Sequence, residues 1–302
     1  MTDAHNHLQD ARFAGRQADV MDAVRRAGVA RMVVNGTGEE DWPGVAALAR
    51  QFPEVVPAFG CHPWWLRHRT PSWIRTLESW LDATPGSGVG EIGLDRWMIE
   101  NPEGWRRASG VFGEPPTLAE QESAFVAQLE IASRRNLPAS IHCLGAFGPL
   151  GDLLGRHPRP ERGFLLHSYG GPRDRIPGLV RLGAYFGFPG YFGHERKAAA
   201  REVFRHVPRD RLLVETDAPD QLPPEGWIRH PMDDPRTGRP VNHPANLGAA
   251  YEGLAAVLEL DFDELVAITA ANFERLFGRA FQPVGGNEPS SAMAQRRVGP
   301  GG

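Results

Sequence analysis

Eight ionisable residues recur at comparable places along this chain. Asp3, His5 and His7 alternate in DAHNHL, so all three face one side of an extended segment. His62 follows an apolar run in GCHPWW, and Glu91 lies inside GVGEIGLD. His142 and His167 lie near the ends of PASIHC and GFLLHS, and Asp217 follows LLVE in LLVETDAP. Taken singly, each has an ordinary explanation. A lone histidine at a strand end is most often a satisfied polar group. Glu91 could be a buried structural carboxylate, and Asp217 could cap the turn before Pro219. Taken together they suggest otherwise, because burying several imidazoles and carboxylates in one place costs several kcal/mol unless a cation compensates. Mixed imidazole and carboxylate donors suit Zn²⁺, Mn²⁺, Fe or Ni²⁺ better than Ca²⁺. Four histidines and two carboxylates are too many for one tetrahedral site. They suit two metals sharing a bridging carboxylate, with water positions left open.

These residues converge only if the fold brings them to one place. Short apolar runs predict strands at Asp3–Leu8, Arg31–Asn35, Val55–Gly60, Gly88–Leu94, Pro138–Cys143, Gly163–His167, Ala184–Phe188 and Arg211–Thr216. Helical segments are expected between most of them, at Asp19–Ala27, Glu40–Gln51, Ser72–Leu81, Thr117–Arg135 and Glu195–His206. Two more follow, near Pro244–Leu258 and Asp261–Phe277. Thr117–Arg135 is the clearest, with Leu118, Gln121, Phe125, Leu129 and Ala132 at helical spacing. Eight strand–helix units predict an α/β fold, a single-domain (β/α)8 TIM barrel over residues 1–280. A doubly wound open sheet is the alternative, but no strand is followed by GxGxxG. A barrel gathers the carboxyl ends of its strands around one mouth, where all eight residues are expected to meet. Arg96–Pro116 and Asp220–Asn242 read as long loops leaving that end, candidates for pocket walls or lids. Residues 281–302 are rich in Gly, Ser and Pro and are expected to be a disordered tail.

Composition bounds the remainder. The chain has 302 residues, 41% hydrophobic and 23% charged, too apolar for a disordered protein. No apolar run approaches the roughly 18 to 20 residues of a membrane helix, and MTDAHNHLQD lacks the pattern of a secretory signal. Two cysteines, Cys61 and Cys143, cannot form a disulfide framework, so a reduced cytoplasmic protein is expected. A net charge of −4 supplies no global field for nucleic acid, although a local arginine patch could bind it. His68, His157, His194, His206, His230 and His243 fall outside the strand-end pattern and read mostly as surface residues; His243 stands apart from the others, in the motif NHPANL.

The motifs occur in an order that resembles the TatD-like metal-dependent hydrolases, a branch of the amidohydrolase superfamily. The matching stretches are DAHNHL, GCHPWW, GEIGLD, FVAQLEIA, SIHC, LHSYGG, RLLVETDAP, NHPANL and ANFERLFG, which reach Gly278. The resemblance implies a TIM barrel with two divalent metal ions (Zn, Mn, Mg, Fe or Ni). It implies that His5, His7, Glu91 and Asp217 surround one metal. Glu91, His142 and His167 hold the other, with Glu91 bridging. The resemblance further implies that His62 sits beside them and contacts the scissile phosphate or the leaving group. Many binuclear relatives bridge their metals with a carbamylated lysine on the fourth strand. The only lysine here, Lys197, lies in a predicted helix after the seventh, and Glu91 occupies the fourth. Three stretches depart from the family pattern. An insertion follows GEIGLD, LHSYGG replaces the more usual HCFSG, and Asp220 stands where an aromatic is usual.

The expected chemistry is metal-assisted hydrolysis, with Asp217 as the catalytic base. Asp3 and Glu215 are candidates for orienting the metal-binding imidazoles. The leading substrate is DNA or another phosphodiester, since DNase activity is common in the family. The alternative is a deacylase or amidohydrolase acting on a small molecule or aminoacyl-tRNA. A non-catalytic accessory protein is third. A nuclease should show arginines and exposed aromatics at the mouth, for which Arg96, Trp97, Trp105, Arg106 and Arg107 are candidates. The sequence sets neither the metal nor the oligomeric state.

Overall fold

The computed structural model describes residues 1–278, so the tail expected over 281–302 lies outside the described residues. Eight parallel strands follow one another in sequence order around one sheet. They are β1 (Thr2–Asn6), β2 (Arg31–Asn35), β3 (Val55–Phe59), β4 (Gly88–Asp95), β5 (Ala139–Leu144), β6 (Phe164–Leu166), β7 (Ala184–Pro189) and β8 (Leu212–Glu215). The seam between β8 and β1 is closed by backbone bonds just beyond the strand ends, Asp217 N–H to His5 O at 2.9 Å and His7 N–H to Ala218 O at 2.7 Å. The fold is therefore a (β/α)8 barrel.

A helix follows every strand. These are α1 (Gln17–Arg26), α2 (Trp42–Gln51), α3 (Trp73–Ala83), α4 (Trp97–Glu100), α5 (Pro102–Ser109), α6 (Leu118–Arg135), α7 (Phe147–Arg156), α8 (Ile176–Arg181), α9 (Ala198–Val203), α10 (Leu247–Leu258) and α11 (Phe262–Phe277). Helix α6 begins with a full capping box, Thr117 with Glu120. Its buried face carries two glutamines that pair with the backbone at the ends of neighbouring strands. Gln128 binds both backbone groups of Cys61, and Gln121 binds both of Asp95. Both clamps lie next to functional side chains.

The insertion after β4 corrects the expectation of a loop. It folds into α4 and α5 around buried Met98, Trp105 and Val111. Its Pro and Gly residues punctuate a helix: Asn101 caps α5, Pro102 begins it, and Gly110 ends it at a left-handed φ of 72°. The segment Glu195–His206 is helical only over α9, with 3₁₀ turns on either side.

The barrel lumen has two characters. Ala4, Val33, Val56, Leu165, Tyr185 and Leu213 from six strands meet in one apolar cluster with Phe273, Leu276 and Phe277 of α11. Residues on β2 and β6 can share a cluster only through the lumen. Asn272 of α11 donates to Arg209 O and Leu212 O at the start of β8, which places this plug at the amino-terminal end. The polar cluster occupies the carboxyl-terminal end.

Candidate metal centre

Six of the expected residues meet around Glu91. It is 3% exposed, and its two carboxylate oxygens face different partners. Oε2 lies 3.4 Å from His5 Nε2 and 3.3 Å from His7 Nε2. Oε1 lies 2.8 Å from His167 Nε2, 3.2 Å from His142 Nδ1 and 3.4 Å from His62 Nε2. Asp217 Oδ1 closes the other side, 3.5 Å from His5 Nε2 and 3.3 Å from His7 Nε2. Asp217 and Ser168, the residues that turn the chain after β8 and β6, both adopt left-handed φ values, 52° and 46°. Three donor triads are close enough to share a cation: His5 with His7 and Asp217, His5 with Glu91 and His167, and His62 with Glu91 and His142.

The outward nitrogens of the rings decide which atoms face inward. His7 Nδ1 lies 2.8 Å from the carbonyl of Asn35, which can only accept, so Nδ1 holds the ring proton and Nε2 presents its lone pair to the cluster. His5 Nδ1 lies 2.7 Å from Ser140 Oγ. His167 Nδ1 lies 3.6 Å from Glu215 Oε1, an oxygen that accepts hydrogen bonds from Ser168 N–H and Oγ–H. His62 is the reverse case. Its Nδ1 accepts the Trp64 N–H at 3.2 Å, so in the neutral ring the proton sits on Nε2 and points at the cluster.

Electrostatics set the proton inventory. Burial opposes charge on Glu91, but the charges of His62, His167 and His5 outweigh it and hold the carboxyl well below its usual range. Burial likewise opposes the imidazolium of His142. Hydrogen bonds with Asp95 and Glu91 outweigh it and push the ring up to about 9. His7 and His167 are raised against burial too, the former by Asp217 and Glu91, the latter by Glu91 and Glu215. Burial holds His5 and His62 below the ordinary value. Such a nest of buried imidazoles and carboxylates suits divalent cations, which replace protons on the inward nitrogens.

Two orientation candidates resolve differently. Glu215 stands beside His167, its Oε1 3.6 Å from Nδ1, just beyond hydrogen-bond reach. Asp3 does not touch an imidazole. Its carboxylate accepts from Thr216 N–H at 3.0 Å, Thr216 Oγ–H at 2.6 Å and Asn6 Nδ2 at 3.3 Å, which ties β1 to β8. Two residues along a strand span about 6.8 Å, so Asp3 lies one layer below His5, and its short side chain cannot reach the rings. Burial pushes it up to about 7.

Sequence reasoning missed Asp95, Ser140 and Gln221. Ser140 precedes His142 by two residues on β5, and Asp95 follows Glu91 by four on β4, so strand parity could have found both. Gln221 Nε2 holds Asp217 Oδ2 and Ser168 Oγ, each at 2.7 Å, from an irregular loop that carries no such signal. His243 is buried and outside the cluster. Its Nδ1 accepts the Ala245 N–H, its ring stacks on His230, and burial lowers it to about 4. Of the other histidines outside the pattern, His68 and His206 are exposed, and His157, His194 and His230 are half-buried.

A parallel barrel with buried imidazoles and carboxylates at its carboxyl mouth defines the class of metal-dependent hydrolases. The comparisons with known proteins narrow this to one family. The family model described as TatD related DNase matches residues 2–278, and the chain belongs to that family. It is 32% identical to a Shigella flexneri protein named 3'-5' ssDNA/RNA exonuclease TatD, over 93% of this chain and all of the relative. It is 28% identical to the Escherichia coli uncharacterized metal-dependent hydrolase YjjV, over 91% of this chain and 96% of the relative. The crystal structure of the E. coli TatD homolog YjjV superposes with a TM-score of 0.77 at 26% identity, covering 92% of this chain and 98% of that one. The chain is thus a hydrolytic, metal-dependent enzyme. No helix among the described residues is long and apolar enough to cross a membrane.

Proposed function

We propose that the protein is a two-metal phosphodiesterase that shortens single-stranded DNA or RNA from an end. The observation that carries the two-metal reading is the Glu91 carboxylate, with one oxygen facing His5 and His7 and the other facing His142 and His167. His5, His7, Glu91 and Asp217 would hold one cation, and Glu91, His142 and His167 the other. The named activity of the Shigella relative supports the substrate class.

When bound, the cations supply Lewis acidity, which brings the pKa of water toward neutrality and polarises a phosphoryl oxygen. The residues of this chain do the rest. Asp217 is held ionised against burial by the His7 hydrogen bond and the charges of His167 and His5, so it is free to accept the proton of the attacking water. Gln221 fixes its second oxygen and thereby its orientation. The His62 Nε2–H, directed inward by the Trp64 backbone, is placed to donate to a phosphoryl or leaving-group oxygen. The wall beside it is the half-buried pair Trp64 and Trp97, stacked with centroids 6.0 Å apart, with exposed Arg96 alongside. Unpaired bases stack on such surfaces. Trp105 drops out of the expected wall, because it is fully buried inside the insertion, and Arg106 is engaged by Glu114.

The test is an end-labelled oligonucleotide assay with Mg²⁺, Mn²⁺ or Zn²⁺, beside a chromogenic phosphodiester, an aminoacyl ester and a cyclic amide. Progressive shortening of single strands is expected. Turnover of the ester or amide with intact oligonucleotides would replace this reading with the deacylase or amidohydrolase one.

A further inference from the structure

Asp95, the last residue of β4, is fully buried, and every contact of its carboxylate goes to a different part of the mouth. Oδ2 lies 3.1 Å from His142 Nε2 and accepts the indole N–H of Trp64 at 2.7 Å. Oδ1 accepts the Met98 N–H at 3.1 Å and so caps α4, the first helix of the insertion. Gln121 holds the Asp95 backbone at both N–H and C=O. An unpaired buried carboxylate would be costly, and this one is satisfied by groups that have little else in common.

The consequence falls on His142. Its ring is approached on one side by Glu91 and His167, which face Nδ1, and on the other by Asp95, which faces Nε2. A neutral imidazole carries one proton, and only the other nitrogen can bind a cation. A carboxylate can only accept, so Asp95 draws the proton to Nε2 and leaves the Nδ1 lone pair facing Glu91. We infer that Asp95 is a positioning residue: it fixes His142 as an Nδ1 metal ligand and, through Trp64 and α4, ties the wall of the mouth to that ligand. The inference rests on the two-metal reading above. It adds a carboxylate–imidazole–metal relay, of the kind that raises ligand basicity and fixes the ring.

The experiment reads metal binding. The metal-stripped full-length protein is titrated with Zn²⁺ against a chromogenic chelator, for wild type, Asp95→Asn, Asp95→Ala and Trp64→Phe. Asp95→Ala should weaken one of the two ions by about 10- to 100-fold and leave the other within a few-fold. Asp95→Asn, whose amide oxygen can still accept from His142, should fall between Ala and wild type. Trp64→Phe, which leaves the His142 contact in place, should bind both ions as wild type does. Wild-type affinities in a folded Asp95→Ala protein would overturn the inference. So would equal losses in Trp64→Phe and Asp95→Ala, because the wall and not the imidazole would then be responsible.

If the aspartate variants fail to fold, the wild-type protein decides. Loaded with ¹¹³Cd and labelled with ¹⁵N-histidine, it should show cadmium coupling to His142 Nδ1 and a proton on Nε2. Coupling to Nε2 would refute the relay while leaving a metal centre in place. Binding of no divalent ion at all would remove the two-metal reading, and the relay with it.

Discussion

On the β1 side of the cluster, the outward nitrogens of His5 and His7 meet neutral partners, Ser140 Oγ and the Asn35 carbonyl. On the β5–β6 side, those of His142 and His167 face carboxylates, Asp95 at 3.1 Å and Glu215 at 3.6 Å. The β1 side has its additional negative charge inside the cluster, in Asp217. The β5–β6 side has it one ring further out. Both arrangements neutralise a cation, but they leave different atoms free. A carboxylate inside the cluster can take a proton during catalysis. Carboxylates behind the rings can only hold and polarise the ligands. On the proposed reading, proton transfer would fall to the β1–β8 side and support of the ligand rings to the β5–β6 side.

Four experiments would break or sharpen this contrast. The largest effect belongs to Glu91, which both sides share. Glu91→Ala should lose both metal content and turnover to background, as read by elemental analysis and by oligonucleotide shortening. Full occupancy would show that the two sides do not depend on one carboxylate. Asp217→Asn should cut kcat by about 10²- to 10⁴-fold while retaining the fold and at least the β5–β6 ion. Wild-type turnover in that variant would move the base elsewhere.

The next effect is one of pH. His142, raised to about 9, carries a proton at pH 7 in the metal-free protein, and a cation must displace it. Affinity at the β5–β6 side should therefore climb as pH rises from 7 to 9, by roughly 100-fold for one displaced proton, and level off above. Calorimetry in buffers of different ionisation enthalpy would count the protons released, and a flat profile would contradict the proton inventory. The smallest effect is expected at Ser140. Ser140→Ala removes a neutral partner of His5, worth about 1 kcal/mol, so metal affinity should fall by about fivefold, less than in Asp95→Ala. A larger loss would erase the distinction between neutral and anionic support.

Much of this was legible in the sequence because the signals were local. Apolar runs, and in the polar first strand the alternation of Asp3, His5 and His7, marked the strands to within a residue or two, and the histidines and acids at their carboxyl ends marked the mouth. What escaped had physical causes. Helix α7, FGPLGDLLGR, carries three glycines and a proline, and only the buried pair Leu150 and Leu154 reveals its inner face. Helix α8 has six residues, too few for a period to show. Helices α4 and α5 were hidden because Asn101, Pro102 and Gly110 resemble loop residues, although here they cap a helix. Whether Asp3 reaches an imidazole or only an interior hydrogen bond was open in the sequence, because parity gives the face of a strand but not the depth in the barrel. Asn35 contributes a backbone carbonyl, which no side-chain pattern can announce.

Anomalous diffraction from crystals grown with Mn²⁺ or Zn²⁺ tests the central claim most directly. The account predicts two peaks about 3.5 to 4 Å apart on either side of the Glu91 carboxylate, one against His5, His7 and Asp217 and the other against His142 and His167. A single peak that leaves His142 and His167 without metal, or peaks away from Glu91, would contradict it.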